Sequence, residues 1–265
     1  MKHTWRVALA SAALLGLTVP ASGQDRCEER DVRELELAAA GIERLDLEAH
    51  AGSLVVEGRE GLSRVEVHAV LCASDRERLD ALDVRLERTG SRAVLETRFP
   101  DWNDSGWGRN RYARIDLVVQ IPRGLAADIT DGSGEIEIRG TGPLTLRDGS
   151  GSLTIRDIVG GARIDDGSGE IEISGVQGDV EVEDGSGGIT IEEVSGGVHL
   201  RDGSGQVEIR GVERDVEVSD KGSGQIEVQD VRGDLRVQGT RRERIRYANV
   251  AGEVDLPPAR RGRGG

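Results

Sequence analysis

Asp-Gly-Ser-Gly stands at residues 131–134, 148–151, 166–169, 184–187 and 202–205, and a sixth copy at 220–224 carries one inserted residue, Lys221. Successive copies are 17, 18, 18 and 18 residues apart, with 19 between Gly203 and Gly222. A fixed period near this length is the mark of stacked supersecondary units. No such unit buries its apolar face alone, so each must lean on its neighbours. The repeat therefore excludes most compact folds before any other feature is weighed.

Each unit holds two short alternating runs, for example Glu170-Ile171-Glu172-Ile173 and Asp179-Val180-Glu181-Val182-Glu183. Alternation at period two with β-branched residues predicts strands with one buried face. Ser174-Gly175-Val176-Gln177-Gly178 separates them, a second turn with one apolar residue. Glycine at both corners permits the positive φ that sharp turns require. One unit is thus strand, turn, strand, turn: a coil of a flattened, parallel β-solenoid with two strands per coil.

The inward set repeats in step. The first strands supply Ile136 and Ile138, Leu153 and Ile155, Ile171 and Ile173, Ile189 and Ile191, then Val207 and Ile209. The second strands supply Leu144 and Leu146, Ala162 and Ile164, Val180 and Val182, Val198 and Leu200. The middle turn adds Ile158, Val176, Val194, Val212 and Val231. Leu45 to Gly58 follows the same grammar, so the stack is expected to begin before the regular repeats. Residues 75–82 predict a short capped helix, and 83–88, 93–99 and 113–121 further strands. A last strand is expected over 252–256.

These repeats, with Ala51-Gly52-Ser53-Leu54-Val55-Val56-Glu57-Gly58 and Ile115-Asp116-Leu117-Val118-Val119-Gln120-Ile121-Pro122, resemble the bacterial putative-adhesin family of unknown function. The resemblance covers about residues 35–256. It implies a cell-envelope solenoid with no established catalytic residues.

The N-terminus reads as a secretory signal. Lys2 and Arg6 give a basic start, Val7 to Val19 an apolar stretch, and Ala21, Ser22 and Gly23 a small-residue cleavage site. The apolar stretch is shorter than the about 20 residues a transmembrane helix needs, so no membrane anchor is expected. The divisions predicted are 1–23 signal peptide, 24–125 β-rich segment with the first coils, 126–256 regular repeats, and 257–265 disordered tail. Without the signal, 33 basic residues face 49 acidic ones, a net charge of −16. Phosphates would be repelled, which argues against a nucleic-acid partner. The destination expected is the periplasm or the cell surface.

Two cysteines, Cys27 and Cys72, remain after the signal. In an oxidising compartment the pair reads as one disulfide pinning the N-terminus, and otherwise as two unrelated thiols.

Candidate chemistry is sparse. The aspartates that open the turns (Asp131, Asp148, Asp166, Asp184, Asp202) form a ladder that could hold calcium. Equally, each could accept a backbone N–H two residues on, as an Asx-turn. The calcium β-roll repeat needs an Asp where this chain has Ile136 or Ile171. His50, His68 and His199 are scattered. Catalysis therefore has little support, a carbohydrate-active β-helix being the enzyme alternative, and no cofactor is required. Four aromatics cluster in one stretch, Phe99, Trp102, Trp107 and Tyr112, among Asn, Asp, Gly and Arg. Such a loop could bind a surface glycan or an envelope protein, or fold back as a cap over the solenoid. The function read from the sequence is an adhesin-like or scaffold module that binds and does not catalyse.

Overall fold

The computed structural model describes residues 27–100, 111–220 and 222–258. The expected signal peptide, Trp102, Trp107 and most of the expected tail lie outside the described residues.

Strand β1 (Glu29–Ala38) is followed by β2 (Arg44–Glu48), β3 (Leu54–Arg59) and β4 (Arg64–Ala73). Helix α1 (Arg76–Ala81) comes next, started by Asp75, whose carboxylate accepts the Arg78 N–H at 3.0 Å. Then come β5 (Asp83–Thr89), β6 (Arg92–Arg98) and β7 (Ala113–Pro122). Only Gly90 and Ser91 separate β5 from β6, and Gly90 takes φ +64°, as a tight hairpin demands.

From β8 (Ala126–Asp131) onward the chain alternates between two sheets. Strands β9 (Gly134–Arg139), β11 (Gly151–Ile158), β13 (Gly169–Val176), β15 (Gly187–Val194), β17 (Val207–Val212), β19 (Ile226–Val231) and β21 (Ile245–Val250) build one. Strands β8, β10 (Leu144–Asp148), β12 (Ala162–Asp166), β14 (Val180–Asp184), β16 (Val198–Asp202), β18 (Val216–Asp220), β20 (Leu235–Gln238) and β22 (Val254–Asp255) build the other. All these neighbours are parallel, and the register never slips: Ile155, Ile173, Ile191, Ile209 and Val228 stand in one row. The fold is the expected all-β solenoid, with coils about 18 residues apart. The inward sets named from the sequence are buried, Ile173 and Ile191 to 0 % exposure.

Close stacking explains the second glycine of the repeat. A Cβ on Gly187 would sit 1.5 Å from the Gly169 carbonyl oxygen of the coil before, at φ +156°. No L side chain fits there.

The other expected turn is shallower than a turn. β11, β13 and β15 run on through it to Ile158, Val176 and Val194, interrupted by one residue in the left-handed region. That position reads Asp157, Gly175, Glu193, Gly211, Asp230 along the stack, with φ between +56° and +69°. Glycine in alternate coils keeps like charges two coils apart.

The first coils depart from the expectation that each coil pairs with the next in chain order. β2 lies between β6 and β8, and β3 lies between β7 and β9. An early coil is thus wedged between two that follow it in sequence. The link 123–125 climbs past it: the Arg123 N–H donates to Arg59 O at 2.9 Å, and the Gly124 N–H to Gly140 O at 3.0 Å. Beyond β7 the sheets finish antiparallel, with β4 and β1 on one side and β5 on the other. Arg33 of β1 spans this end, donating to Asp83 at 2.6 Å and to Leu82 O at 3.2 Å. Leu79, Leu82 and Val84 lie buried beneath it. β1 and β21 were not anticipated from the sequence.

Candidate functional site

Strand parity places something unexpected inside the stack. In β10, Leu144, Leu146 and Asp148 lie two residues apart and so share the inward face. The same holds in β12, β14 and β16. Each turn-opening aspartate therefore points inward: Asp131, Asp148, Asp166, Asp184 and Asp202 are 6 %, 7 %, 3 %, 7 % and 4 % exposed. The parallel register puts each directly opposite the next. They form a buried column of carboxyls along one corner.

The Asx-turn is present in part. Ser186 N–H donates to Asp184 Oδ1 at 3.2 Å, and Ser204 N–H to Asp202 Oδ1 at 2.9 Å. The turn leaves the rest of the column unanswered. Both oxygens of Asp148 and Asp166, and Oδ2 of Asp131 and Asp184, are buried with no hydrogen bond of ordinary geometry. Neighbouring strands are about 4.8 Å apart. Two full charges at that separation, at an effective dielectric of about 20, repel by roughly 3.5 kcal/mol. Burial and that repulsion push Asp131 up to about 7, with Asp148 the neighbour responsible. Asp166 is likewise raised to about 7 by burial and by Asp148 and Asp184. Burial also raises Asp148 and Asp184, while the backbone N–H groups of the turn (Gly149 and Ser150, and Ser186) and, behind them, neighbouring aspartates of the column pull them back. The physical reading is proton sharing: Asp131 and Asp166 keep a proton and share it with Asp148, which lies between them, and with Asp184 beyond Asp166.

A converging ligand set is another matter. Among the described residues no group of three or more His, Cys, Asp or Glu side chains is arranged to hold a metal ion. Along the same corner, a shallow groove is lined by Asp165, Glu183, Arg201 and Ser219 and is bordered by Asp166, Asp184 and Asp202 of the column itself. Its Arg201 is paired with Glu183 of the coil before, as Arg147 is with Asp128 further along the stack.

The other sequence candidates are dispersed. Phe99 is half-buried against the core, its ring 5.5 Å from that of His50. The Tyr112 hydroxyl accepts the Glu28 N–H at 3.1 Å, and its carbonyl accepts the Ser74 N–H at 3.0 Å. Both ends of the aromatic stretch are thus tied to the body. His68 meets Glu34 and His199 meets Glu217, far apart along the chain. Cys27 and Cys72 are disulfide-bonded with Cα atoms 5.4 Å apart, fastening the approach to β1 onto β4. Thiol counting on denatured, unreduced protein should find none; two reactive thiols would contradict the bridge.

A stack of parallel two-strand coils, closed at one end by antiparallel strands, defines a two-sheet β-solenoid. The chain belongs to the Toastrack DUF4097 family, whose profile matches residues 42–257. No curated protein matches it. Among solved structures it is similar to a putative cell adhesion protein of Clostridium sporogenes, at 14 % identity and TM-score 0.36, over 79 % of this chain and 100 % of that one. A putative lipid binding protein of Parabacteroides distasonis matches at 13 % identity and TM-score 0.39, over 85 % and 96 %. A putative adhesin of Parabacteroides merdae matches at 11 % identity and TM-score 0.28, over 84 % and 95 %. Among the described residues no helix is long and apolar enough to cross a membrane.

Proposed function

We propose that this protein is an exported module of the cell envelope, adhesin-like or scaffolding, that binds partners and catalyses nothing. One observation carries the reading. The carboxyls whose proton affinity departs most from normal are less than a tenth exposed, and the groove that Asp166 borders is shallow, with little room to enclose a substrate against them. Perturbed groups in a catalytic site must face a cleft. What the molecule offers to solvent is two long faces, with ion pairs running from coil to coil. Eleven strands at about 4.8 Å give a body about 50 Å long, stiff enough to hold a binding element away from its base.

The binding element proposed is the aromatic stretch from Phe99 to Tyr112, engaging a surface glycan or an envelope protein. Its ends are pinned by the Phe99 and Tyr112 contacts, which would limit the entropy lost when a partner orders it. Changing Trp102 and Trp107 together to Ala should abolish capture of isolated envelope material and leave the melting temperature nearly unchanged. If the stretch is a cap instead, each Trp→Ala costs about 3–5 kcal/mol and melting falls steeply. That second outcome would move the binding surface to the sheet faces.

A further inference from the structure

The two ends of the stack are unlike. The β1 end is bridged by Arg33 to Asp83 and Leu82. At the β21 end the last inward positions are left partly uncovered among the described residues. Tyr247 occupies the row of Val228, an inward position, yet is 42 % exposed where Val228 is 0 %. Val254 and Leu256 are only half-buried, whereas Leu235, one coil earlier, is fully covered. Among the described residues β1 pairs with β4 alone and β21 with β19 alone, so each carries an open row of N–H and C=O groups. Open rows of this kind are templates for another strand.

Two further facts match one open edge to the other, and exposed apolar surface marks both: of the three exposed large hydrophobics among the described residues, Val32 at 45 % sits on the outward face of β1 and Tyr247 in the inward row of β21. Charge is complementary: 28–38 carries five acids against two arginines, and 241–250 carries four arginines against one glutamate. Direction also agrees. β1 opposes β4, β4 opposes β7, and β7 runs with β3, β9 and the rest, so β1 and β21 point the same way. Translation of one copy along the stack brings β21 beside the next copy's β1 in the parallel sense that runs from β7 to β21.

We infer that copies of this chain join head to tail, β21 of one docking on β1 of the next. The partner at both ends is a second copy. Pairing β21 with another β21 would press two arginine-rich edges together, and pairing β1 with β1 two acidic ones, each electrostatically opposed. A heterologous contact that does not close on itself propagates, so the product is a filament.

Sedimentation of the full exported chain at low salt tests this, using two edge variants. Val32→Arg puts a cation on the acidic edge, facing the arginines it must meet. Tyr247→Glu places an anion on the basic edge. Both positions are exposed, so unchanged circular dichroism confirms that each variant folds. The weight-average mass of the wild type should rise by about twofold or more with concentration, and fall back when salt screens the edges. Each variant alone should stay monomeric, and an equimolar mixture should stop at a dimer, through the one free edge of each kind. A wild type that stays monomeric throughout would overturn the inference, including the case in which residues 259–265 cover the edge. So would folded variants that still polymerise, or a mixture that shows no dimer.

Discussion

Ile173→Asp should unfold the stack at its middle or cost it several kcal/mol, while Glu172→Gln on the same strand should change stability by less than about 0.5 kcal/mol. Ile173 has no exposed surface and stands in register between Ile155 and Ile191, all three inside. A carboxylate there would meet aliphatic side chains on both sides, with no donor to receive it. The mid-stack position adds to the cost, because each coil completes the core of two others. With a whole domain stable by only about 5–15 kcal/mol, such a loss is a large share. Glu172 faces solvent and meets Arg156 at 3.1 Å, a surface pair of small worth. Urea unfolding of both variants reads the difference directly. Equal midpoints would mean that the inward and outward faces are assigned the wrong way round.

The second large effect is on pH. Asp131 and Asp166 bind a proton near pH 7 when folded, against the ordinary 3.8. A folded-state value above the unfolded one means that the native chain holds more protons between those limits. Stability then falls as pH rises. The contribution is whole below about 3.8 and is gone above about 7. Asp75 and Asp83 act the other way. Backbone and side-chain hydrogen bonds hold Asp75 below the usual range, and Arg85 and Arg33 outweigh burial to do so at Asp83, so their contribution is lost in acid. Melting temperature should therefore peak at about pH 4–5 and decline toward pH 8, as stability falls by a few kcal/mol in all. Asp166→Asn supplies a permanent donor to its neighbours without a charge. It should flatten the decline and stabilise the chain at pH 8 relative to wild type. A melting temperature that climbs from pH 4 to pH 7, or an identical slope in the variant, would contradict the shared-proton column.

How much of this was legible varies with the range of the interaction. The strands, their inward faces and the two-strand coil follow from alternation and glycine placement, which are local. The wedging of β2 and β3 is not local. Leu45-Asp46-Leu47 and Ala93-Val94-Leu95 have the same grammar, and nothing in either says which will stack against Ala127 and Ile129. β1 was missed although Val32 to Leu37 partly alternates, because its dense charge reads as solvent-exposed; as an edge strand it needs only one half-covered face. β21 was masked in the same way by its arginines. The aspartate column was legible in principle. Leu144, Leu146 and Asp148 have one parity, but Asp beside Gly-Ser also reads as a turn opener or a surface calcium ladder, and neither reading requires burial. Its burial appears only when the coils are stacked.

The stacked coils bring one aspartate per turn into a common buried column, and its proton affinities can be measured residue by residue. Side-chain carboxyl carbon shifts of Asp131, Asp148, Asp166 and Asp184, followed by NMR from pH 3 to pH 9, give that answer. The account predicts that Asp131 and Asp166 titrate near 7 and that Asp148 and Asp184 titrate above 3.8, with coupled, multi-step curves. Four independent titrations at the ordinary 3.8 would contradict it, since carboxyls that ionise so freely are not packed against one another inside a solenoid.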